Sequence, residues 1–332
     1  MTLDFLTSKD SFVWARNGLL KISELSKGDE ILGLNGEGNP NYQKIVCIQK
    51  SNQERLIRAA SNRNESYIFE KQRVIRLGGT SQICSLREGE DKLELCLKPA
   101  FFNEVENLLK NKSSELSSSF AYLLGRTKDV RFKSDFKDRL TFLSNDWPEL
   151  RQLAHIFHQT LLKHNIDSRR KIYLGYSETF RLQYKLVIKS PEIIHVLNYT
   201  DSDPNLIPKE IRLSSFDCMK SYLTGLVEAF STRHGKGFKV ATKRTQNELR
   251  RFLYDMFPLF GVTPRKTKWS HQVSIEFDEN ILQRIKEGNI SSRVNRFYLL
   301  RRLDEFKLKS IYEFKTTGLH WSPAVDLLLL ES

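Results

Sequence analysis

The chain has 332 residues, 39% hydrophobic and 28% charged, with 53 Lys/Arg against 40 Asp/Glu and a net charge of +13. This is the composition of a folded chain long enough for two or three domains, and no run approaches the roughly 18 to 20 apolar residues that cross a bilayer. The opening MTLDFLTSKD carries an early acid and no apolar stretch ahead of a cleavage site, so no signal peptide and no membrane partner are expected, and an intracellular location is (cytoplasm or nucleoid, or a nucleus).

The charge is uneven. Residues 1–100 hold 15 Lys/Arg and 13 Asp/Glu, which leaves +11 of the +13 to the remainder. An excess confined to one part of a chain points to a polyanion-binding surface there, nucleic acid first, against the alternative of ordinary solubilising charge. Cys47, Cys84, Cys96 and Cys218 form no CxxC pair and bring no partnering histidines; structural zinc is not expected, and the thiols read as buried and reduced.

In chain order, the first hundred residues read as β-rich. SFVWARNG, GDEILGLNG, YQKIVCIQ, SYIFE and RVIRLGG are short apolar or alternating runs between Gly, Asn and Asp. FFNEVENLLKNKSSELSSS at 101–119 starts with helical character and ends as a connector. A helix is expected at 119–129, strands at RFKSD and RLTFLS, and a helix over ELRQLAHIFHQTLLKHN with Leu153, Ile156, Phe157, Leu161 and Leu162 on one face. Strands KIYLGYS and FRLQYKLVIKS and a helix PEIIHVLNY follow. From 220 the order recurs: helix SYLTGLVEAFS, strand GFKVATK, helix TQNELRRFLYDMFPLF ending at Gly261, strands PRKTKWS and HQVSIEF, then helices through 303. Asn or Gly after the last apolar turn stops the long helix of each unit. The recurrence reads as an internal duplication whose halves pair about a pseudo-two-fold axis, giving a monomer the symmetry of a dimer.

YLLGRTKDV at 122–130 and YLTGLVEAF at 222–230 resemble the two signature helices of LAGLIDADG homing endonucleases. NLIPKEIRLSSFDCMKSYLTG and GFKVATKRTQNELRRFLYDMFPLFGVTPR resemble the passages on either side of the second one. SFVWARNGLLKISELSKGDEILGLNGEGNP resembles the opening of an intein splicing domain, the Hint fold, and HWSPAVDLL looks like the chain's return to it. The resemblance implies an α+β protein: two pseudo-symmetric αββαββα halves at 119–204 and 205–304 forming a DNA-binding saddle, plus a β-rich Hint-like domain of residues 1–100 with about 305–332.

The same resemblance implies what each part would need. Gly125, Gly225 and Ala229 would lie at the contact between the signature helices, and a carboxylate five residues after each glycine would hold divalent metal at the scissile phosphates. Those positions are Val130 and Phe230. Asp129 and Glu228 are the neighbouring acids, rotated about 100° per residue from the required direction. The lysine that the family places before the proline matching Pro208 is missing: Asn205 and Leu206 stand there, and Lys209 follows the proline. Splicing would need a Cys or Ser as first residue. Aligning Asp10 puts Leu6 there, Glu70-Lys71-Gln72-Arg73 replaces the TxxH motif, the chain ends LLLLES without the His-Asn pair, and Ser11 reads as a strand-edge serine.

The expectation is therefore a domesticated relic: a sequence-preferring double-stranded DNA-binding protein without cleavage, splicing, catalytic residue or cofactor. The DNA-contact set is Arg131, Lys133, Arg169, Arg170, Lys171, Arg181, Gln183, Lys185 and Lys189 in the first half, with Arg233, Lys236, Lys239, Lys243, Arg244, Arg265, Lys266 and Lys268 in the second. Alternation in FRLQYKLVIK puts Arg181, Gln183 and Lys185 opposite Leu182, Tyr184 and Leu186. An active Mg²⁺-dependent endonuclease using displaced acids, an RNA-binding or maturase-like role, and a scaffold docking a protein partner through the Hint-like region stay open. His155 and His158 read as a half-buried helical pair more readily than as metal ligands, STRHGKG around His234 as a turn, Tyr122 and Tyr222 as packing, and Trp269 and His320-Trp321 as core or interface.

Overall fold

The computed structural model describes residues 2–8, 12–34, 40–51, 56–61, 66–70, 74–76, 83–85, 93–97, 107–108, 110, 112, 115–133, 138–177, 183–203, 205–234, 237–243, 249, 252–253, 265–269, 272–278, 296–306, 311–317, 322–324 and 327–329. It is a mixed α/β protein with antiparallel sheets among the described residues. The chain divides into two compact units, residues 1–112 with 232–332, and residues 113–231. No helix among the described residues is long and apolar enough to cross a membrane.

The first unit is β-rich. One six-stranded sheet runs in the order Thr2–Ser8, Ile311–Thr317, Pro40–Ser51, Glu30–Leu34, Phe12–Ala15, Gly18–Lys21. Phe12, Val13, Trp14 and Ala15 are all buried, so that strand is covered on both faces; Leu19, Ile31, Leu32 and Ile45 extend the core. A four-stranded sheet joins Leu93–Leu97, Arg296–Phe306, Leu56–Ser61 and Ser66–Glu70. Residues 296–303, expected to be helical, form a strand that pairs with Leu93–Leu97 on one side and Leu56–Ser61 on the other, with a bulge between Arg302 and Asp304. RFYLLRRLDEF has ordinary helix formers, and two flanking strands satisfying its backbone outweigh that local preference. Another four-stranded sheet is ordered Ser231–His234, Gly237–Lys243, Gln272–Asp278, Arg265–Trp269. The expected turn at STRHGKG is thus a strand as far as His234. Most of the expected helix at 245–260 lies outside the described residues.

The second unit holds five helices and three strands among its described residues. They are α1 (Ser118–Lys133), β1 (Leu140–Ser144), α2 (Trp147–Lys163), β2 (Ile172–Tyr176), β3 (Tyr184–Ile188), α3 (Pro191–Thr200), α4 (Lys209–Arg212) and α5 (Phe216–Phe230). The Asp146 carboxylate caps α2 by accepting from the Glu149 amide at 3.3 Å, with Pro148 in the first turn. Asn165, at φ +56°, adopts the left-handed conformation that ends the helix. Ser190 caps α3 in the same way, ahead of Pro191. α2 buries Leu150, Leu153, Phe157, Thr160 and Leu161, with Phe157 5.9 Å from the Phe142 ring of β1. Leu162, expected on that face, is 52% exposed.

The sheet order is β1-β3-β2. Register sets Leu140, Phe142, Leu186, Ile188, Ile172 and Leu174 on one face, where Leu140, Phe142, Leu186 and Ile188 are buried. The opposite face carries Thr141, Leu143, Tyr173, Gly175, Lys185 and Val187. The strand expected at RFKSD is not there in its first three residues: α1 continues through Lys133, because the side chain of Arg131 is anchored inside the unit.

Candidate nucleic-acid interface

α1 and α5 meet at their glycines. A Cβ on Gly125 would collide with the backbone oxygen of Tyr222 and stand 2.8 Å from the amide nitrogen of Leu226. A Cβ on Gly225 would collide with the backbone oxygen of Tyr122 and stand 2.7 Å from the amide nitrogen of Arg126. The contacts are reciprocal: each glycine abuts the residues three before and one after the other. Only glycine lets two helix backbones approach this closely. Around the crossing, Ala121, Leu123, Leu124, Tyr222, Leu223 and Leu226 are buried. Ala229, one turn beyond Gly225, is half-buried.

Val130 and Phe230 are half-buried near the ends of these helices, and neither has an atom that can bind a metal. Glu228 accepts the Tyr122 hydroxyl at 2.5 Å and lies 4.0 Å from Nε of Arg126. Arg126 donates from Nη2 to Glu149 at 3.0 Å, and Glu149 in turn accepts the Ser144 hydroxyl at 2.6 Å. Burial first, then the charge and hydrogen bond of Glu228, push the Tyr122 hydroxyl's pKa well above its usual value. Glu228 therefore works inside a helix-spanning polar network. Asp129 is half-buried. Among the described residues no group of three or more His, Cys, Asp or Glu could hold a metal ion. At these two positions Val130 and Phe230 do not fit the divalent ions that the family resemblance implies. His155 is exposed and His158 half-buried.

Arg131 is a correction to the expected DNA-contact set. Its side chain is fully buried, donating to Asp201 Oδ2 at 2.7 Å, to the backbone oxygens of Leu197 and Asp201, and to Thr127 Oγ1. Lys128 shares the same carboxylate at 2.7 and 2.8 Å and also donates to the carbonyls of Asp203 and Leu206. Desolvation lowers the pKa of both cations, and Asp201 opposes the shift. A charge tied up in this way holds the segment after α3 to α1 and is not presented to a ligand. Leu206, in that segment, is 42% exposed, Asn205 is half-buried, and Lys209 is exposed at the start of α4 after Pro208.

The other cations of the first half gather at the open face of the three-stranded sheet. Across β1-β3-β2, one row is Leu143, Lys185, Gly175 and the next is Thr141, Val187, Tyr173. A backbone bond from Lys189 N to Lys171 O extends β3 and β2 by a further Lys189–Lys171 pair. The Lys189 ammonium sits 4.9 Å from the centre of the Tyr173 ring. Arg169 and Arg170 are exposed in the turn leading into β2. Arg170 has φ +58°, a region that Gly or Asn occupies at lower cost. Lys171 donates to Glu192 at 2.7 Å, and this hydrogen bond is the main cause holding that carboxyl down at about 2. Lys185 and Gln183 are half-buried, and Lys185 lies opposite Tyr184 and Leu186 as the alternation requires. Lys133 is helical; Arg181 and Leu182 lie outside the described residues.

In the second half the expected cations divide. Register puts Lys239, Lys243 and Arg265 in one alternating set with Gln272, Ser274 and Glu276, and Lys266 and Lys268 in the other with Val240 and Ile275. Arg233 is on the strand Ser231–His234, while Lys236, Arg244, His320 and Trp321 lie outside the described residues. Sequence reasoning did not select Thr141, Leu143, Tyr173, Gly175 or Val187. The alternation of KIYLGYS held the signal, since Tyr173 and Gly175 share the parity of Lys171. It also passed over the bond of Tyr122 to Glu228 and the pairing of Lys128 with Asp201, which join residues 106 and 73 apart.

No protein-family model matches the chain, and no curated protein does. Among solved structures, the chain is similar to mesophilic variants of the homing endonuclease I-DmoI, at 16% identity and a TM-score of 0.38 over 54% of this chain and 98% of that one. It is similar to I-DmoI in complex with DNA and Mn at 16% identity and a TM-score of 0.37, over the same shares. With I-DmoI in complex with DNA and Ca, the identity is 17% and the TM-score 0.35, over 51% of this chain and 86% of that one.

Proposed function

We propose that the chain is a sequence-preferring double-stranded DNA-binding protein descended from an intein-borne LAGLIDADG homing endonuclease, and that it neither cuts DNA nor splices. The observation that carries the reading is the reciprocal Gly125–Gly225 contact between two helices that each carry a hydrocarbon side chain five residues after the glycine, Val130 or Phe230. The contact is the packing that a pair of signature helices needs; the side chains remove the metal chemistry such a pair would serve. Pseudo-two-fold halves and a β-rich Hint-like domain belong to the same reading. The latter is supported by the sheet in which Thr2–Ser8 pairs with Ile311–Thr317, bringing the two ends of the chain together.

DNA would lie against open sheet faces. The first of these carries Lys185 and Lys189, bordered by Arg169 and Arg170, and no Asp or Glu occupies its described positions. Cations of this kind neutralise phosphates and release counterions, and side chains between them read base edges. The test is selection from a random duplex pool with the full chain, with and without Mg²⁺, scored for retention and for cutting. Retention of a sequence family without cutting is expected. Specific Mg²⁺-dependent cutting would overturn the reading and assign the chemistry to Asp129 and Glu228; preference for structured RNA in competition would replace DNA as the partner.

A further inference from the structure

We infer that the open face of β1–β3 reads the methyl groups of thymines in the major groove, and that Gly175 is the point at which the DNA comes closest. The inference rests on the DNA-binding reading above and specifies which sequence chemistry this face takes.

The middle of the face is apolar. Leu143 is 42% exposed and Tyr173 45% exposed, and Thr141 and Val187 between them are half-buried. Register makes Thr141, Val187 and Tyr173 one continuous row, with Leu143 in the row beside it. Lys185, Lys189, Arg169 and Arg170 stand within or around this patch, no carboxylate occupies a described position on it, and Glu192 on the next helix is engaged by Lys171. An apolar centre in a cationic rim suits a polyanion that offers apolar groups between its phosphates. In the DNA major groove that group is the thymine 5-methyl, and Gln183, of the same parity as Lys185, suits the adenine paired with it. RNA is a poor match, since its major groove is too deep and narrow for side chains to read and uracil lacks the methyl.

Gly175 is an independent observation. A Cβ built there meets nothing within 4 Å, and its φ is not in the left-handed region. Neither the protein's packing nor its backbone calls for glycine, although glycine weakens a strand interior. The space above Gly175, beside Leu143 and Lys185, is open toward a partner.

The experiment uses the full chain and the duplexes it selects from a random pool, remade with deoxyuridine in place of thymidine. Selected sequences are expected to contain an A·T-rich block, and loss of the methyls should weaken binding about fourfold for each one contacted. Leu143→Ala should shrink the difference between thymidine and deoxyuridine duplexes. Gly175→Thr should leave the melting temperature unchanged or raised and weaken binding about tenfold, because the new side chain fits the protein and obstructs the DNA. Equal affinity for thymidine and deoxyuridine duplexes, or undiminished binding by Gly175→Thr, would overturn the inference and leave DNA binding intact. Failure to retain any duplex at about 50 mM salt would overturn both, since phosphate contacts alone give measurable affinity there.

Discussion

Tyr122 and Glu228 join residues on different helices through one short bond in a half-buried setting. A hydrogen bond to a charged acceptor contributes roughly 1.5–3 kcal/mol, so Tyr122→Phe is expected to lose about that much in a denaturant titration near neutral pH. The sign of the pH dependence follows from the same pair. The folded-state pKa of Tyr122 is raised above its usual 10.0. Below pH 10 the stabilisation is fully present; as pH rises past it, the unfolded chain gives up the phenolic proton while the native state keeps it. Wild type should therefore lose stability above about pH 10 more steeply than Tyr122→Phe. An equal alkaline slope in the two proteins would remove Tyr122 from the account. The Lys128–Asp201–Arg131 cluster shows why counting cations along a chain overstates a nucleic-acid surface, since two of them are consumed internally.

For the α1–α5 pair, two magnitudes of opposite sign compete. Replacing a helix-interior glycine by alanine gains about 1 kcal/mol of helix propensity. Forcing a methyl into packed backbone costs about 1–3 kcal/mol or more, and here it would strike the oxygen of Tyr222 or Tyr122. Gly125→Ala and Gly225→Ala are therefore expected to lower the melting temperature. A rise in either variant would mean that the helices do not touch at the glycines. The helices α2 and α3 and the strands β2 and β3 were legible because their signals are local, the Asn165 stop and the apolar spacing of α2 among them. Arg296–Phe306 was not, because its strand character comes from partners about 200 residues or more away in sequence. The extension of α1 past Val130 was hidden as well; Arg131 within it pairs with Asp201, far off in sequence. Of the candidate site, the glycines and the hydrocarbon side chains of Val130 and Phe230 could be read from spacing. The apolar centre of the open face could not, because it exists only when β1, β3 and β2 are in register.

Over the whole molecule, +11 of the net charge belongs to residues 101–332, and under the proposed function part of that excess contacts phosphate. Arg170, held at φ +58°, is a charge kept where glycine would relieve backbone strain. Arg170→Gly should raise stability by about 1 kcal/mol. It should also weaken binding on every duplex alike and reduce the slope of log K against log[salt] by about 0.9. An unchanged salt slope would place Arg170 away from the DNA. DNA binding without metal chemistry beside Val130 and Phe230 is the proposed function. It is tested most directly by incubating excess full chain with its selected duplex in Mg²⁺ and reading retention and strand integrity from the same samples. The duplex should be retained, in a salt-sensitive manner, with both strands intact. Site-specific double-strand cutting that depends on Mg²⁺ would contradict it.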